Sequence, residues 1–175
     1  SGDRPPHLAA LIVGNDGASL TYVGSKVKAC EKVGFDSTLL SLPESISEQE
    51  LLSKVYELNN DDKIDGYIVQ LPLPKHIDTQ KVLMAVDPKK DVDGFHPTNF
   101  GKMALKLPTF ISATPNGIME LLKRYKVSTE GKHTVVIGRS DIVGKPISIL
   151  MGLKTNPGNS TCLLYTSPSP RDQLT

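Results

Sequence analysis

The sequence has no tryptophan and only two cysteines, Cys30 and Cys162, in neither CxxC nor CxxH spacing. That argues against a structural zinc site and against a secreted disulfide scaffold, so no metal is expected and a reducing, cytoplasmic location is the default. No apolar run approaches the roughly 18 residues of a membrane span, and the opening SGDRPPHLAA has no signal-peptide core, so a soluble protein without a membrane partner is expected. Charge of one sign is also missing. Twenty basic against nineteen acidic residues leave +1, with no Lys/Arg cluster interleaved with aromatics, which excludes an evident nucleic-acid surface. What remains, 38% hydrophobic and 22% charged over 175 residues, is ordinary globular composition, enough for one domain and part of another.

The apolar run from His7 to Gly14 reads as a strand followed by the turn Asn15-Asp16-Gly17. A helix follows, with Ser19 as N-cap, Val23, Val27 and Cys30 at helical spacing and Gly34 at a left-handed C-cap. Phe35 to Leu42 reads as a second strand, and Ser47 to Glu50 as a capping box opening a helix through Asn59. Residues 66–71 form a third strand and 79–86 another helix, before a polar loop over 87–101. A second unit starts near Thr114, with Pro115 at the first helical position of a segment running to Tyr125. His133 to Ile137 then reads as a strand, and a glycine-bounded turn leads to a helix ending near Leu153. The stretch from Cys162 on, rich in Ser and Pro, is expected to be an unstructured tail. This alternation predicts an α/β fold of parallel βαβ units.

Four features carry chemistry. In GYIVQLPLP, Gln70 interrupts a buried strand, and a buried amide costs about 1–3 kcal/mol unless partnered. Tyr22 and Lys26, four apart, share one helix face. Asp91 and Asp93 lie in the polar loop, where two carboxylates can bind a metal, cap a turn or accept from a heterocycle, the turn being the favoured reading. The turn Gly138-Arg139-Ser140-Asp141-Ile142-Val143-Gly144-Lys145-Pro146 has the strand–turn–helix setting of a phosphate site, but Ser140 stands where GxGxxG has its middle glycine. Arg139 suits a 2′-phosphate, favouring NADP over NAD.

YVGSKVKACEKVG (22–34), GYIVQLPLP (66–74), DPKKDVDGFHPTNFG (87–101), ATPNGIMELL (113–122) and VVIGRSDIVGKP (135–146), in this order, resemble the bifunctional methylenetetrahydrofolate dehydrogenase/cyclohydrolase family over residues 5–161. The resemblance implies a parallel-sheet catalytic domain over 1–112, the start of a Rossmann-like NADP-binding domain over 113–161, and an artefactual tail over 162–175. It also implies a homodimer working on tetrahydrofolate one-carbon derivatives in one-carbon metabolism and purine biosynthesis. It puts the catalytic lysine on Lys26, its partner amide on Gln70, the ring-stacking tyrosine on Tyr22 and the pterin-binding aspartate on Asp93. Val23, Gly24, Ser25, Val69, Leu71 and Pro115 are expected to line the substrate, and Gly138, Arg139, Ser140, Val143, Gly144, Lys145 and Pro146 the cofactor. Against the family pattern, the segment before the first strand is short, Ala113 replaces a common cysteine, and the later cofactor strands and a PGGVGP-type loop are missing. An inactive folate-binding fragment is the alternative reading.

Overall fold

The computed structural model describes residues 4–14 and 17–166, the side chains of residues 17–22 excepted. Its contacts divide the chain into two compact units, Ser1–Val92 and Asp93–Thr175. In the first, β1 (His7–Val13) is the middle of a three-stranded sheet ordered β2-β1-β3, with β2 (Asp36–Leu42) and β3 (Gly66–Val69) both parallel to it. A central parallel strand is covered on both faces, which is why β1 is apolar almost throughout. Ala9, Leu11 and Val13 pack with Leu51, Val55 and Leu58 of α2 (Glu48–Asn60), with Tyr67 and Val69, and with Val82 of α3 (Thr79–Ala85). Ala10 and Ile12 face the other way, onto Val23 and Val27 of α1 (Gly17–Val33).

Local signals set most boundaries. Ser47 and Glu50 form the expected reciprocal capping box, and Gly34, at φ +75°, ends α1. α1 nevertheless begins at Gly17, so Ser19 lies inside the helix and is not its N-cap. The expected turn residues Asn15 and Asp16 lie outside the described residues. β3 stops at Val69, short of the expected Leu71, leaving Gln70 just past the strand.

Tyr67 is 1% exposed, and its hydroxyl donates to Asn59 Oδ1 at 2.7 Å. Burial, then the charges of Asp87 and Asp91, push its phenol pKa up. A phenol whose folded pKa exceeds its unfolded value of about 10 stabilises the fold fully below that pH and loses the contribution as pH rises beyond it. Stability should therefore fall progressively above pH about 10. Tyr67→Phe should flatten that slope while costing about 1 kcal/mol at neutral pH for the lost hydrogen bond. Denaturant titrations across alkaline pH check this; parallel slopes for the two proteins would contradict it.

The second unit holds α4 (Pro97–Ala104), α5 (Ala113–Arg124), β4 (His133–Ile137), α6 (Gly144–Gly152) and β5 (Thr161–Tyr165). β4 and β5 pair in parallel, His133 opposite Thr161 through Ile137 opposite Tyr165. Three expectations need correction. The polar loop contains the start of α4, because His96 accepts from Thr98 N at 3.1 Å through Nδ1 and Pro97 supplies a preset first turn. α5 starts at Ala113, so Pro115 is its third residue, not its first. Residues 162–165 are not an unstructured tail: the β-prone run Thr-Cys-Leu-Leu-Tyr finds its hydrogen-bond partners along β4.

Candidate active site

The first set of residues is built on the sheet of the first unit. The ladder from β1 continues one bond past β3, with Gln70 N donating to Leu11 O at 2.9 Å. Strand alternation puts Ile68, paired with Ala10, on the face covered by α1, and Gln70 follows it at the same parity. Gln70 thus stands at the C-terminal edge of a parallel sheet, where α/β proteins bind ligands, on the side of the helix that carries Lys26. Its Nε2 donates to Leu71 O at 2.9 Å, while its Oε1 is buried with no hydrogen-bond partner. The local backbone contact expected of a structural amide is therefore present, but it satisfies only the nitrogen. A hydrogen bond between Gln70 and Lys26 is not formed, which leaves an acceptor open.

Lys26 is half-buried, beside the stripe of Val23, Val27 and Cys30 that α1 turns to the sheet, and holds no ion pair among the described residues. The Tyr22 side chain lies outside the described residues. Val23 is fully buried against Ala10 and Ile12, and Val69 is buried in the core, so both side chains serve packing. Gly24 and Leu71 are half-buried, and Ser25 is exposed on α1.

Asp93 opens the second unit, half-buried, next to Gly94. Gly94 is at φ +68°, and a Cβ there would lie 2.8 Å from Ser112 N and 2.9 Å from Phe110 O. Only glycine allows this approach, which brings residue 94 against the segment entering α5. Pro115 is fully buried in that helix. Ser112, itself buried, donates from its hydroxyl to Ile142 O at 3.0 Å, joining the same segment to the 138–144 turn. Sequence reading did not single out Ser112, and a lone serine before a helix gives no signal beyond a capping preference.

In that turn, Gly138 is at φ +113° and Gly144 opens α6. A Cβ on Gly144 would sit 2.0 Å from Gly138 O, so the turn closes on itself through two glycines. Ser140 takes up the helix N-terminus: its Oγ accepts from Val143 N and Gly144 N, both at 3.2 Å, and its carbonyl accepts from Lys145 N at 3.0 Å. Lys145 pairs with Asp141. Pro146 is buried beneath the turn, whereas Arg139 and Ser140 are exposed. This is the strand–turn–helix setting that suits a dinucleotide phosphate, with the two glycines keeping the backbone clear. No group of carboxylates, histidines or cysteines among the described residues suits a metal ion, and none of their helices is long and apolar enough to cross a membrane.

Parallel strands with helical crossovers, a buried polar group at a strand end and a glycine-closed βα turn define an α/β protein with a Rossmann-like nucleotide-binding start. Residues 1–93 match the catalytic domain of tetrahydrofolate dehydrogenase/cyclohydrolase and residues 112–171 its NAD(P)-binding domain. The chain belongs to the tetrahydrofolate dehydrogenase/cyclohydrolase family. The second match runs beyond residue 161, where sequence reading ends the resemblance. The bifunctional protein FolD of Flavobacterium johnsoniae is 73% identical over 167 residues, covering 95% of this chain and 57% of that protein. The corresponding protein of Porphyromonas gingivalis is 58% identical, covering 97% and 57%. Among solved structures, the Campylobacter jejuni FolD enzyme superposes with TM-score 0.88 at 43% identity, covering 95% of this chain and 58% of the other. The Trypanosoma brucei enzyme, complexed with NADP and an inhibitor, gives 0.88 at 34%, covering 98% and 57%. The chain thus spans a little over half the length of these relatives.

Proposed function

We propose that the chain belongs to an enzyme that oxidises 5,10-methylenetetrahydrofolate to the methenyl form with NADP and hydrolyses that product to 10-formyltetrahydrofolate. The observation that carries this reading is the open Gln70 Oε1. A buried acceptor without a donor costs about 1–3 kcal/mol, and the ammonium of Lys26, on the helix packed over the same face, is the donor that chemistry suggests. Gln70 would then orient Lys26, and Lys26 would relay the proton of the water that attacks the methenyl carbon. Tyr22 stacks on the pterin in this reading, and Asp93 accepts from its amino group and adjacent ring N–H as a bidentate pair. NADP, when bound, accepts the hydride. Arg139 holds its 2′-phosphate, and Gly138, Ser140 and Gly144 shape the bed for its phosphates. Of the other expected lining residues, Val23, Val69, Pro115 and Pro146 support neighbours from the core, Gly24, Ser25, Leu71 and Val143 contribute local surface, and Lys145 keeps Asp141 from repelling an anion.

The same reading makes the protein a cytoplasmic homodimer supplying one-carbon units for purine biosynthesis. The near-neutral net charge gives no support to a nucleic-acid partner. Asp93→Asn tests the substrate assignment. One carboxylate oxygen becomes a donor facing donors, so in the full-length enzyme the KM for the folate should rise on the order of a hundredfold, as for loss of a charge-assisted bidentate pair. The melting temperature should hardly change. A mutant that melts much earlier yet keeps its KM would make Asp93 a turn residue only.

A further inference from the structure

The polar segment 85–92 is fastened to one place, the C-terminal end of α2, by side chains that the chemistry above does not use. Asn59 Nδ2 donates to Ala85 O at 2.8 Å, and Asn59 Oδ1 accepts from Asp87 N at 2.8 Å as well as from the Tyr67 hydroxyl. The Lys90 ammonium donates to Leu58 O in the last turn of α2 at 2.9 Å and to the O of its C-cap Asp61 at 2.7 Å. The far side of the segment is tied to β3. Tyr67 N donates to Lys90 O at 2.9 Å, Tyr67 bridges Asp91, and Gly66 leaves room for Val92, whose Cγ1 would lie 2.3 Å from a Cβ at that position. The next residue is Asp93, and β3 ends one residue before Gln70.

We infer that Lys90 and Asn59 are positioning residues for substrate recognition: they lock the segment from which Asp93 emerges to the strand that delivers Gln70. Neither touches substrate. Their effect is to fix the backbone of the first unit up to Val92, the residue that hands the chain on to Asp93, so that less ordering free energy is lost when the folate binds. The two adjacent lysines separate this role from simple charge. Lys89 is exposed, whereas Lys90 is half-buried with both its contacts at the C-terminal end of α2 and its cap.

The inference rests on the folate reading of Asp93, so the test has one arm without ligand. In the 175-residue chain, amide hydrogen exchange at Lys90, Asp91 and Val92, whose N–H groups bond to Asp87 O and Lys90 O, should accelerate on the order of tenfold in Lys90→Met. It should stay as in wild type in the charge-matched Lys89→Met. Equilibrium dialysis of the full-length enzyme with tetrahydrofolate should show Kd raised about tenfold in Lys90→Met, largely restored in Lys90→Arg, and unchanged in Lys89→Met. Leu51→Val, which loosens the same core without removing any hydrogen bond of Lys90 or Asn59, should lower the melting temperature without moving Kd. Equal weakening of binding by Leu51→Val at matched stability would overturn the positioning role, as would unchanged exchange in Lys90→Met. If the wild-type full-length enzyme binds no tetrahydrofolate in the same dialysis, the folate reading fails, and the exchange arm alone decides whether Lys90 fixes the segment.

Discussion

Replacing Lys26 by Met in the full-length enzyme should reduce methenyltetrahydrofolate hydrolysis by about 10²–10⁴, the range a positioned general acid or base supplies. Methionine keeps the length and apolar stem of lysine, so packing beside Val23 and Val27 should survive. Oxidation of the methylene substrate should fall much less, since hydride transfer asks the protein for orientation and charge placement, not for a proton carrier. The two half-reactions separate the outcomes: hydrolysis can be followed from pure methenyltetrahydrofolate, and oxidation from NADPH formation. Hydrolysis retained at the wild-type rate would remove Lys26 from the proton path and leave the open oxygen of Gln70 to some other donor.

The second large effect is expected at the opposite end of the chain. Gly144→Ala places a methyl group 2.0 Å from Gly138 O, 2.6 Å from Gly138 C and 3.0 Å from Arg139 Cα. These are backbone atoms that cannot swing aside, so the turn has to open. Overpacking of this kind costs about 1–3 kcal/mol, and opening the turn moves Arg139 and Ser140 away from any cofactor they hold. NADP-dependent oxidation should fall by on the order of a hundredfold or more. Hydrolysis of methenyltetrahydrofolate, which needs no nucleotide, should persist. Ser140→Ala is a milder relative, because it removes only the acceptor that Val143 N and Gly144 N share.

Much of this was legible before any coordinates. The capping box at Ser47, the left-handed glycine after α1 and the unbroken apolar run of β1 are local or composition signals, and each marks the element it should. α4 was hidden because its cap is a histidine nitrogen, outside the usual Ser, Thr, Asp and Asn, and its first turn reads as polar loop. β5 was hidden because its partner strand lies 28 residues back in register, from Thr161 to His133, and the prolines and serines that follow it dominate a local reading. At the site, the choice of Gln70 as an anomaly came from sequence. That its nitrogen would be satisfied and its oxygen left open depends on side-chain geometry and was not legible. The two glycines of the 138–144 turn were visible, but the contact between them was not, since only the folded turn brings Gly144 onto the Gly138 carbonyl.

Two separable pieces of chemistry are proposed for the full-length enzyme, a proton relay between α1 and the residue after β3 and a nucleotide bed at the β4–α6 turn. The most direct test is the ratio of hydrolysis to oxidation rate in Lys26→Met and Gly144→Ala of the full-length enzyme, measured on the same preparations. The account predicts that the ratio falls at least tenfold in the first and rises at least tenfold in the second. If both substitutions lower the two rates together and leave the ratio unchanged, the division of labour proposed for these residues is wrong.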